Sequence, residues 1–173
     1  MTFDLTTDRG VFARDGIDPG TKLLLLEAPP LPAAGDVLDL GCGYGAITVT
    51  MARRAPAATV WAVDVNRRAL ALTAANAEAV GCANVRTVEP GDVPADVRFA
   101  AIWSNPPIRI GKVALHELLL TWLERLAADG RAVLVVQKHL GADSLARWLA
   151  EQGYDVSRLS SRMGYRLLSV APS

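Results

Sequence analysis

The chain is poor in features that mark several protein classes. It contains two cysteines, Cys42 and Cys82, which are too few for a disulfide framework or a four-cysteine zinc site, so we expect no metal. No apolar run reaches the roughly 18 residues that a membrane-spanning helix needs. The first residues do not form a basic region followed by an apolar stretch. We therefore expect a cytoplasmic protein with neither a secretory signal nor a membrane partner.

Neither sign of charge is in excess. Eighteen lysines and arginines balance eighteen aspartates and glutamates, which gives a formal net charge of zero. Dedicated nucleic-acid-binding proteins usually carry a basic excess, so this balance argues against such a partner but leaves room for a local basic patch. The length of 173 residues suits one domain whose core needs no disulfides.

Segments with strand and helix composition alternate along the chain, which predicts a mostly parallel sheet with helices on both faces. Two closing strands, at 154–159 and 165–170, have no helix between them and are expected to form an edge hairpin. We therefore predict an α/β fold with a single Rossmann-like, doubly wound sheet of seven strands, mostly parallel with a C-terminal antiparallel hairpin. The whole chain is expected to be one domain, with an N-terminal segment and short helix over 1–34 and the core over 35–173. A helix is predicted from Lys112 to about residue 127, ending near Asp129-Gly130.

A glycine-rich turn follows the first strand of the predicted core. Gly41, Gly43 and Gly45 come directly after the predicted short strand 36–40, and glycines let a chain turn sharply and bring its backbone close to a ligand. In open α/β sheets, ligands bind beyond the carboxyl ends of the strands. The next strand ends at Asp64, where a ribose hydroxyl pair would need an acceptor. This arrangement predicts a nucleotide-type ligand.

The turn alone leaves several ligands open. With Ala46 it also matches the dinucleotide pattern G-x-G-x-x-A, and a structural turn without ligand is a further alternative. Asp39 favours S-adenosylmethionine, because its carboxylate can hold an ammonium group or ordered water but would oppose a pyrophosphate. Asp92, after the third strand, is either an acceptor for an adenine amino group or an exposed turn residue.

The segment Asn105–Ile108 follows the fourth strand beside the same edge. Its two prolines are expected to hold an extended backbone whose carbonyls lack competing local partners. Exocyclic amino groups have a delocalised lone pair that must be aimed along the carbon–sulfur axis of a sulfonium methyl donor. The Asn105 side-chain oxygen and the Pro106 carbonyl can each accept one N–H bond, orienting the nitrogen and stabilising its developing charge. This chemistry needs no strong general base; a plain turn is the alternative.

Two of these motifs resemble a known group of enzymes. Val37–Gly45 together with Asn105–Ile108 resembles the class I S-adenosylmethionine-dependent methyltransferases that modify nitrogen. Residues 10–13, 18–21, 108–112 and 137–138 are similar to the small-domain family that includes bacterial ribosomal small-subunit (16S) rRNA guanine-N2 methyltransferases. The similarity extends from about Gly10 to the end of the chain. It implies S-adenosylmethionine as cofactor and ribosomal RNA, or the small ribosomal subunit, as partner.

The resemblance also implies which residues form the site. The catalytic residues would be Asn105, Pro106 and Pro107. The cofactor-binding residues would be Asp39, Gly41, Cys42, Gly43, Gly45, Asp64, Val65, Asp92, Val93 and Asn105. The substrate-binding residues would be Phe12, Ile108, Arg109, Lys112 and Lys138.

One departure from the family keeps other functions open. Many members carry an aromatic residue after the two prolines, where it can stack on the target base; here that residue is Ile108. Stacking must then come from elsewhere, for example Phe12, or the substrate differs. A protein glutamine N-methyltransferase, a non-catalytic nucleotide-cofactor-binding module and a dehydrogenase domain remain as alternatives.

The remaining polar residues have two interpretations each. His116 lies in a leucine-rich predicted helix and is expected to be a packed or partly exposed side chain instead of a catalyst. A set of basic residues near the expected carboxyl ends of the strands is either an RNA-binding rim or solvated surface charge: Arg109, Lys112, Lys138, Arg162 and Arg166.

Overall fold

The computed structural model describes residues 4–8 and 16–173. Within them the chain forms seven strands and five α-helices. The strands are β1 (Ala34–Leu40), β2 (Ala57–Val63), β3 (Val85–Val88), β4 (Phe99–Ser104), β5 (Leu126–Gln137), β6 (Tyr154–Arg162) and β7 (Tyr165–Pro172). The helices are α1 (Pro19–Glu27), α2 (Ala46–Arg54), α3 (Arg67–Ala79), α4 (Lys112–Leu123) and α5 (Ala142–Glu151).

All seven strands belong to one sheet, in the order β3-β2-β1-β4-β5-β7-β6. The first five strands in this order run parallel, and β7 is antiparallel to both β5 and β6. The winding reverses between β1 and β4, so the carboxyl ends of β1, β2 and β4 meet at one place, which we call the carboxyl edge. The predicted α/β architecture, including the edge hairpin, is confirmed.

Helices bury both faces of the sheet. Val37 and Leu38 are neighbours on β1, and both are fully buried on opposite faces. Val37 shares its core with Leu24 of α1, whereas Leu38 shares the other core with Leu119 of α4. A parallel strand buried on both sides has the near-continuous apolar composition seen here. In the part of the chain described, no helix has the length and apolar character needed to cross a membrane.

The boundary between α4 and β5 differs from the prediction. The helix ends at Leu123 instead of continuing to about residue 127, and β5 begins at Leu126. The Phe99 backbone N–H donates to the Arg125 carbonyl at 2.8 Å, which ties the chain to β4 at this point. Leu126 is buried in the core, and a Cβ at Gly130 would lie 2.6 Å from the Phe99 carbonyl oxygen. Pairing with β4 therefore overrides the helical preference of the local sequence.

Candidate active site at the carboxyl edge

The glycine turn leaves β1 and enters α2 through left-handed backbone. Gly41, Gly43 and Gly45 have φ of 78°, 57° and 98°, a region that residues with a side chain rarely adopt. A Cβ at Gly45 would also lie only 3.1 Å from Thr73 side-chain atoms on α3. Gly45 thus permits both the turn and the close approach of α3.

Two buried polar side chains of α3 donate hydrogen bonds to backbone carbonyls of this turn. Thr73 Oγ1 donates to the Gly43 carbonyl at 3.0 Å, and Asn76 Nδ2 donates to the Tyr44 carbonyl at 2.7 Å. Asn76 also exchanges two hydrogen bonds of 2.8 Å with the backbone of Thr6. Sequence analysis missed Thr73 and Asn76; polar residues three apart in an alanine-rich helix were the available clue, because such spacing places both on one helix face.

Asp64 links the end of β2 to the turn. Its Oδ2 accepts from the Gly43 N–H at 3.0 Å, and its Oδ1 accepts from the Asn66 N–H at 2.9 Å. The carboxylate remains half-buried, and the neighbouring Val65 is 82% exposed. Because each carboxylate oxygen can accept more than one bond, Asp64 retains capacity for a ligand hydroxyl.

Asp39 is a buried carboxylate with one unused oxygen. The residue is completely buried, and Thr48 Oγ1 donates to its Oδ2 at 2.6 Å. Its Oδ1 has no hydrogen-bond partner among residues 4–8 and 16–173. Burial raises the pKa of Asp39 to about 7, against the lowering effect of the Thr48 hydrogen bonds, and the nearby charge of Asp64 raises it further. A buried acceptor without a donor is costly, so this oxygen suits an ammonium group or a bound water.

The other predicted cofactor-binding residues occupy different environments. Cys42 is buried, its sulfur lies 3.4 Å from Thr73 Oγ1, and burial raises its pKa, so it is an inert thiol within the turn. Asp92 is exposed on a short 3₁₀ turn after β3. Val93 packs its side chain into the core beneath that turn, which leaves only its backbone for a ligand.

Asn105 stands directly beside the glycine turn. Ser104 Oγ, at the end of β4, donates to the Leu40 carbonyl at 2.7 Å, and Leu40 is the residue before Gly41. Neighbouring strands lie about 4.8 Å apart, so the residues that follow β1 and β4 begin side by side. The two motifs singled out in the sequence are therefore brought together at the carboxyl edge.

The amide of Asn105 is held by the start of α1. Asn105 Nδ2 donates to Asp18 Oδ2 at 2.7 Å and to Thr21 Oγ1 at 3.1 Å. Asp18 is the N-cap of α1, as its position before Pro19 predicts, and it also accepts from the Thr21 N–H at 3.0 Å. Because the side-chain nitrogen already donates to these two partners, Asn105 Oδ1 is the atom of this amide that can accept a hydrogen bond from a ligand.

The prediction that the proline carbonyls lack local partners is wrong. The Ile108 N–H donates to the Pro106 carbonyl at 2.9 Å, and the Ile110 N–H donates to the Pro107 carbonyl at 3.2 Å. Pro107 has φ of −75° and ψ of 77°, close to an inverse γ-turn, so the chain turns where an extended segment was expected. Each carbonyl keeps a second lone pair for a substrate N–H.

The predicted basic rim separates into two groups. Arg162 pairs with Glu27 at 3.1 Å, and Arg166 pairs with Asp143 at 3.2 Å. The other three are exposed and form no ion pair within the described residues. We call these the free cations: Arg109, Lys112 and Lys138.

Two further predicted substrate-binding residues are Ile108 and Phe12. Ile108 is half-buried and packs against the core, and Phe12 lies outside the described residues.

His116 stacks on Trp148 with ring centroids 3.5 Å apart. Burial lowers its pKa, and the charge of Lys112 lowers it further. The prediction of a packed histidine is confirmed.

Two clefts lie away from this edge. One, of about 370 Å³, is lined by α3 and β3, and the other, of about 260 Å³, is lined by residues 29–32 with β4 and β5. Neither is lined by the glycine turn or by Asn105. The candidate site is therefore identified by its hydrogen-bonding groups and not by either of these clefts.

A sequence profile of the methyltransferase small domain family matches residues 2–169. The uncharacterized protein YbxB of Bacillus subtilis (strain 168) is 36% identical over 169 residues, which cover 96% of this chain and 84% of that protein. Ribosomal RNA small subunit methyltransferase C of Shewanella pealeana is 30% identical over 164 residues, which cover 92% of this chain and 47% of that enzyme.

Solved structures give a similar result. The T. thermophilus 16S rRNA N2 G1207 methyltransferase, solved in complex with AdoMet and guanosine, superposes with a TM-score of 0.78 and 25% identity. The match covers 95% of this chain and 46% of that enzyme. The chain thus spans slightly under half the length of both ribosomal RNA methyltransferases.

Proposed function

Because this chain belongs to the methyltransferase small domain family, we propose that it methylates the exocyclic N2 amino group of a guanine in ribosomal RNA. The predictions of the family and of S-adenosylmethionine as cofactor are confirmed by the matches. That the target is an exocyclic amine, that it belongs to guanine, and that the substrate is ribosomal RNA are the three parts of the proposal. Two ribosomal RNA methyltransferases support it, although this chain matches less than half of the length of each. The geometry of the carboxyl edge supports it as well.

The chain's own residues fit S-adenosylmethionine. The glycine turn allows close backbone approach, and Asp64 offers a half-buried acceptor for ribose hydroxyls. The unused oxygen of Asp39 would accept from the ammonium group of the methionine part or from a bound water. Val65 and Asp92 are exposed at the same edge and would contact the adenine ring and its amino group. When bound, this cofactor supplies a sulfonium methyl group as the electrophile.

The orientation of the Asn105 amide is the observation that carries the proposal. Its nitrogen donates to Asp18 and Thr21, so its oxygen is the group left for a substrate. A planar amino group brings two N–H donors, and Asn105 Oδ1 and the second lone pair of the Pro106 carbonyl are two acceptors beside the glycine turn that could receive them. Together they would aim the amine lone pair at the methyl carbon.

The reaction then needs no strong base. With S-adenosylmethionine bound, the amine lone pair held at Asn105 would form the new bond to the methyl carbon, the carbon–sulfur bonding electrons would remain with sulfur, and the acidified nitrogen would release a proton to water. The two acceptors stabilise the positive charge that develops on that nitrogen. His116, which stacks on Trp148, is not needed as a base.

The free cations support RNA as the substrate class. They follow β4 and β5 at the carboxyl edge, on the same side as Asn105, where a nucleic-acid backbone would approach. Phosphate contacts by lysine and arginine supply most of the sequence-independent affinity of such proteins. A local basic patch of this kind would allow a chain of zero net charge to bind an anionic substrate.

Tritiated-methyl transfer to separated RNA and protein fractions tests the proposal. We expect label in ribosomal RNA, with nucleoside mass spectrometry identifying N2-methylguanosine, and much slower labelling with the Asn105→Ala variant. Label on a glutamine side chain in the protein fraction would contradict the RNA substrate and favour the glutamine methyltransferase. Calorimetry that detects binding of NAD and not of S-adenosylmethionine would contradict the whole assignment.

A further inference from the structure

The amino end of α1 contacts the catalytic corner through one carboxylate. Asp18 lies 87 residues before Asn105 in the chain, and its Oδ2 accepts from both Asn105 Nδ2, at 2.7 Å, and the Thr21 N–H, at 3.0 Å. A helix cap requires only the second of these bonds, and serine caps about as well as aspartate. The bond to Asn105 is therefore additional to capping.

This contact decides which way the Asn105 amide faces. The oxygen and nitrogen of an asparagine amide occupy nearly the same space, so shape does not distinguish its two orientations. An ionised carboxylate accepts hydrogen bonds and cannot donate them. Opposite Asp18 Oδ2 the amide must place its NH₂ group, and its oxygen then faces the other way. Thr21 Oγ1 accepts a second bond, at 3.1 Å, in the same orientation.

A further layer of contacts holds Asp18 itself. The Tyr165 hydroxyl, on β7, lies 3.5 Å from Asp18 Oδ1 as donor and accepts from Gln137 Nε2 at 2.9 Å. Tyr165 is 9% exposed, and a Cβ at Gly20 would lie 2.6 Å from its ring. The first turn of α1 therefore packs directly on β7. This packing fixes Asp18 relative to the sheet.

We propose that Asp18 is a positioning residue for methyl transfer. It holds the Asn105 amide with its oxygen toward the target amine, and its negative charge stabilises, through that amide, the positive charge developing on the amine nitrogen. Tyr165 and Gln137 support the same carboxylate from the opposite side. This inference rests on the proposed function, because it assigns a role in the reaction at Asn105.

Two variants at position 18 separate positioning from capping. Asp18→Ser keeps an N-cap for α1 but is too short to reach Asn105, whereas Asp18→Asn keeps the length and one acceptor but removes the charge. We expect the single-turnover rate to fall roughly tenfold or more for Asp18→Ser and less for Asp18→Asn, by analogy with the partial removal of one charge-stabilising group. Affinity for S-adenosylmethionine is expected to stay unchanged in both.

Leu26→Gly is the matched control. Leu26 is a 69% exposed position on the same helix, so glycine there weakens α1 without touching Asp18 or Asn105. We expect a wild-type rate from this variant. A rate loss equal to that of Asp18→Ser would mean that helix stability alone explains the effect, and the inference would be wrong.

A double-mutant cycle gives the decisive comparison. If Asp18 acts through Asn105, adding Asp18→Ser to Asn105→Ala will not lower the rate further. An additional loss equal to that in the wild-type background would overturn the inference. The nitrogen-15 resonance of the Asn105 side-chain amide, identified by its absence in Asn105→Ala, provides a readout independent of activity. We expect this resonance to shift in Asp18→Ser, and an unchanged resonance would also overturn the inference.

The same experiments separate this inference from the proposed function. If wild-type enzyme methylates another amine and not guanine, the assignment of substrate fails while the cycle can be measured on that amine. If wild-type enzyme methylates guanine and the cycle is additive, only the role of Asp18 fails. Absence of any methyl transfer to nitrogen would end both.

Discussion

The glycine turn and the Asn105 corner lie on neighbouring strands but are held by different kinds of contact. The turn is fixed through its backbone, by Asp64 directly after β2 and by two polar residues of α3. The corner is fixed through a side chain, whose partners Asp18 and Thr21 lie 87 and 84 residues earlier in the chain. Under the proposed function the turn is the cofactor half of the site and the corner is the substrate half. The first is held by contacts from Asp64 and α3, and the second depends on the packing of α1.

The two regions also differ in their polar groups. The cofactor half buries a carboxylate, Asp39, with one oxygen unused, whereas the substrate side exposes three cations without ion pairs among the described residues. Buried groups act through desolvation and exposed groups through screened long-range attraction. Substitutions in the two regions are therefore expected to alter different measurable quantities.

The largest expected effect is on the substrate side. Asn105→Ala is expected to lower kcat about 10²–10³-fold, as when one charge-stabilising partner is removed, while affinity for S-adenosylmethionine stays the same. Steady-state kinetics and calorimetry on one preparation measure both quantities. Glu117→Ala, at an exposed position on α4, is the control and should behave as wild type. An unchanged kcat in Asn105→Ala would contradict the role of Asn105.

In the cofactor half, Asp39 makes stability depend on pH. Its pKa of about 7 in the folded protein lies above the roughly 3.9 of an unfolded aspartate, so the folded chain holds a proton that the unfolded chain has lost. The stability contributed by this group is present below about pH 4 and is lost as pH rises through about 7.

Asp39→Asn removes that dependence. We expect the unfolding free energy of the ligand-free wild type to fall, relative to the variant, by about 2–3 kcal/mol between about pH 5 and pH 8. Urea unfolding at both pH values gives the difference, with Thr48→Ser as a control that keeps the hydroxyl donor to Asp39. A difference that does not vary with pH would show that Asp39 is ionised when folded.

A smaller effect is expected at Asp64. Asp64→Ala removes a charged acceptor and leaves the Gly43 N–H without its partner, so affinity for S-adenosylmethionine should weaken by about 1–3 kcal/mol. Calorimetry measures this loss, and Asp64→Asn, which retains an acceptor for Gly43, is expected to lose less. Equal losses in the two variants would mean that the charge, and not the support of the turn, is what the cofactor requires.

The smallest effect per residue is expected from the free cations. Replacing Arg109, Lys112 and Lys138 together with glutamine should make the dependence of RNA affinity on salt shallower, by about 0.7–0.9 in logarithmic slope for each phosphate that the variant no longer neutralises. Arg162→Gln is the matched control, because that cation is already paired with Glu27. Filter binding over a range of salt concentrations measures the slopes. Equal slopes in wild type and triple variant would argue against phosphate binding by these residues.

Much of the fold can be predicted from local sequence, because helix caps and strand composition mark where its elements begin. Asp18 caps α1 and Asn66 caps α3, and these two helices begin where their capping residues predict. The end of α4 shows the limit of this approach. Residues 124–127 have helical composition, yet a hydrogen bond from Phe99 and burial of Leu126 place them in the turn and first residues of β5. Those contacts join segments that are distant in sequence.

The sequence by itself determined the glycine turn, the carboxylates that flank it and the Asn105 segment, since each is a short motif whose chemistry is contained in adjacent residues. Only the tertiary structure decided how Asn105 is oriented, that the Pro106 carbonyl already has a partner, and which cations are free. The orientation of Asn105 and the pairing of the cations depend on partners from distant segments, such as Asp18 and Glu27, whereas the Pro106 carbonyl is bonded by the nearby Ile108 N–H in a turn that the sequence did not predict. Such partners meet only when the sheet and α1 pack together.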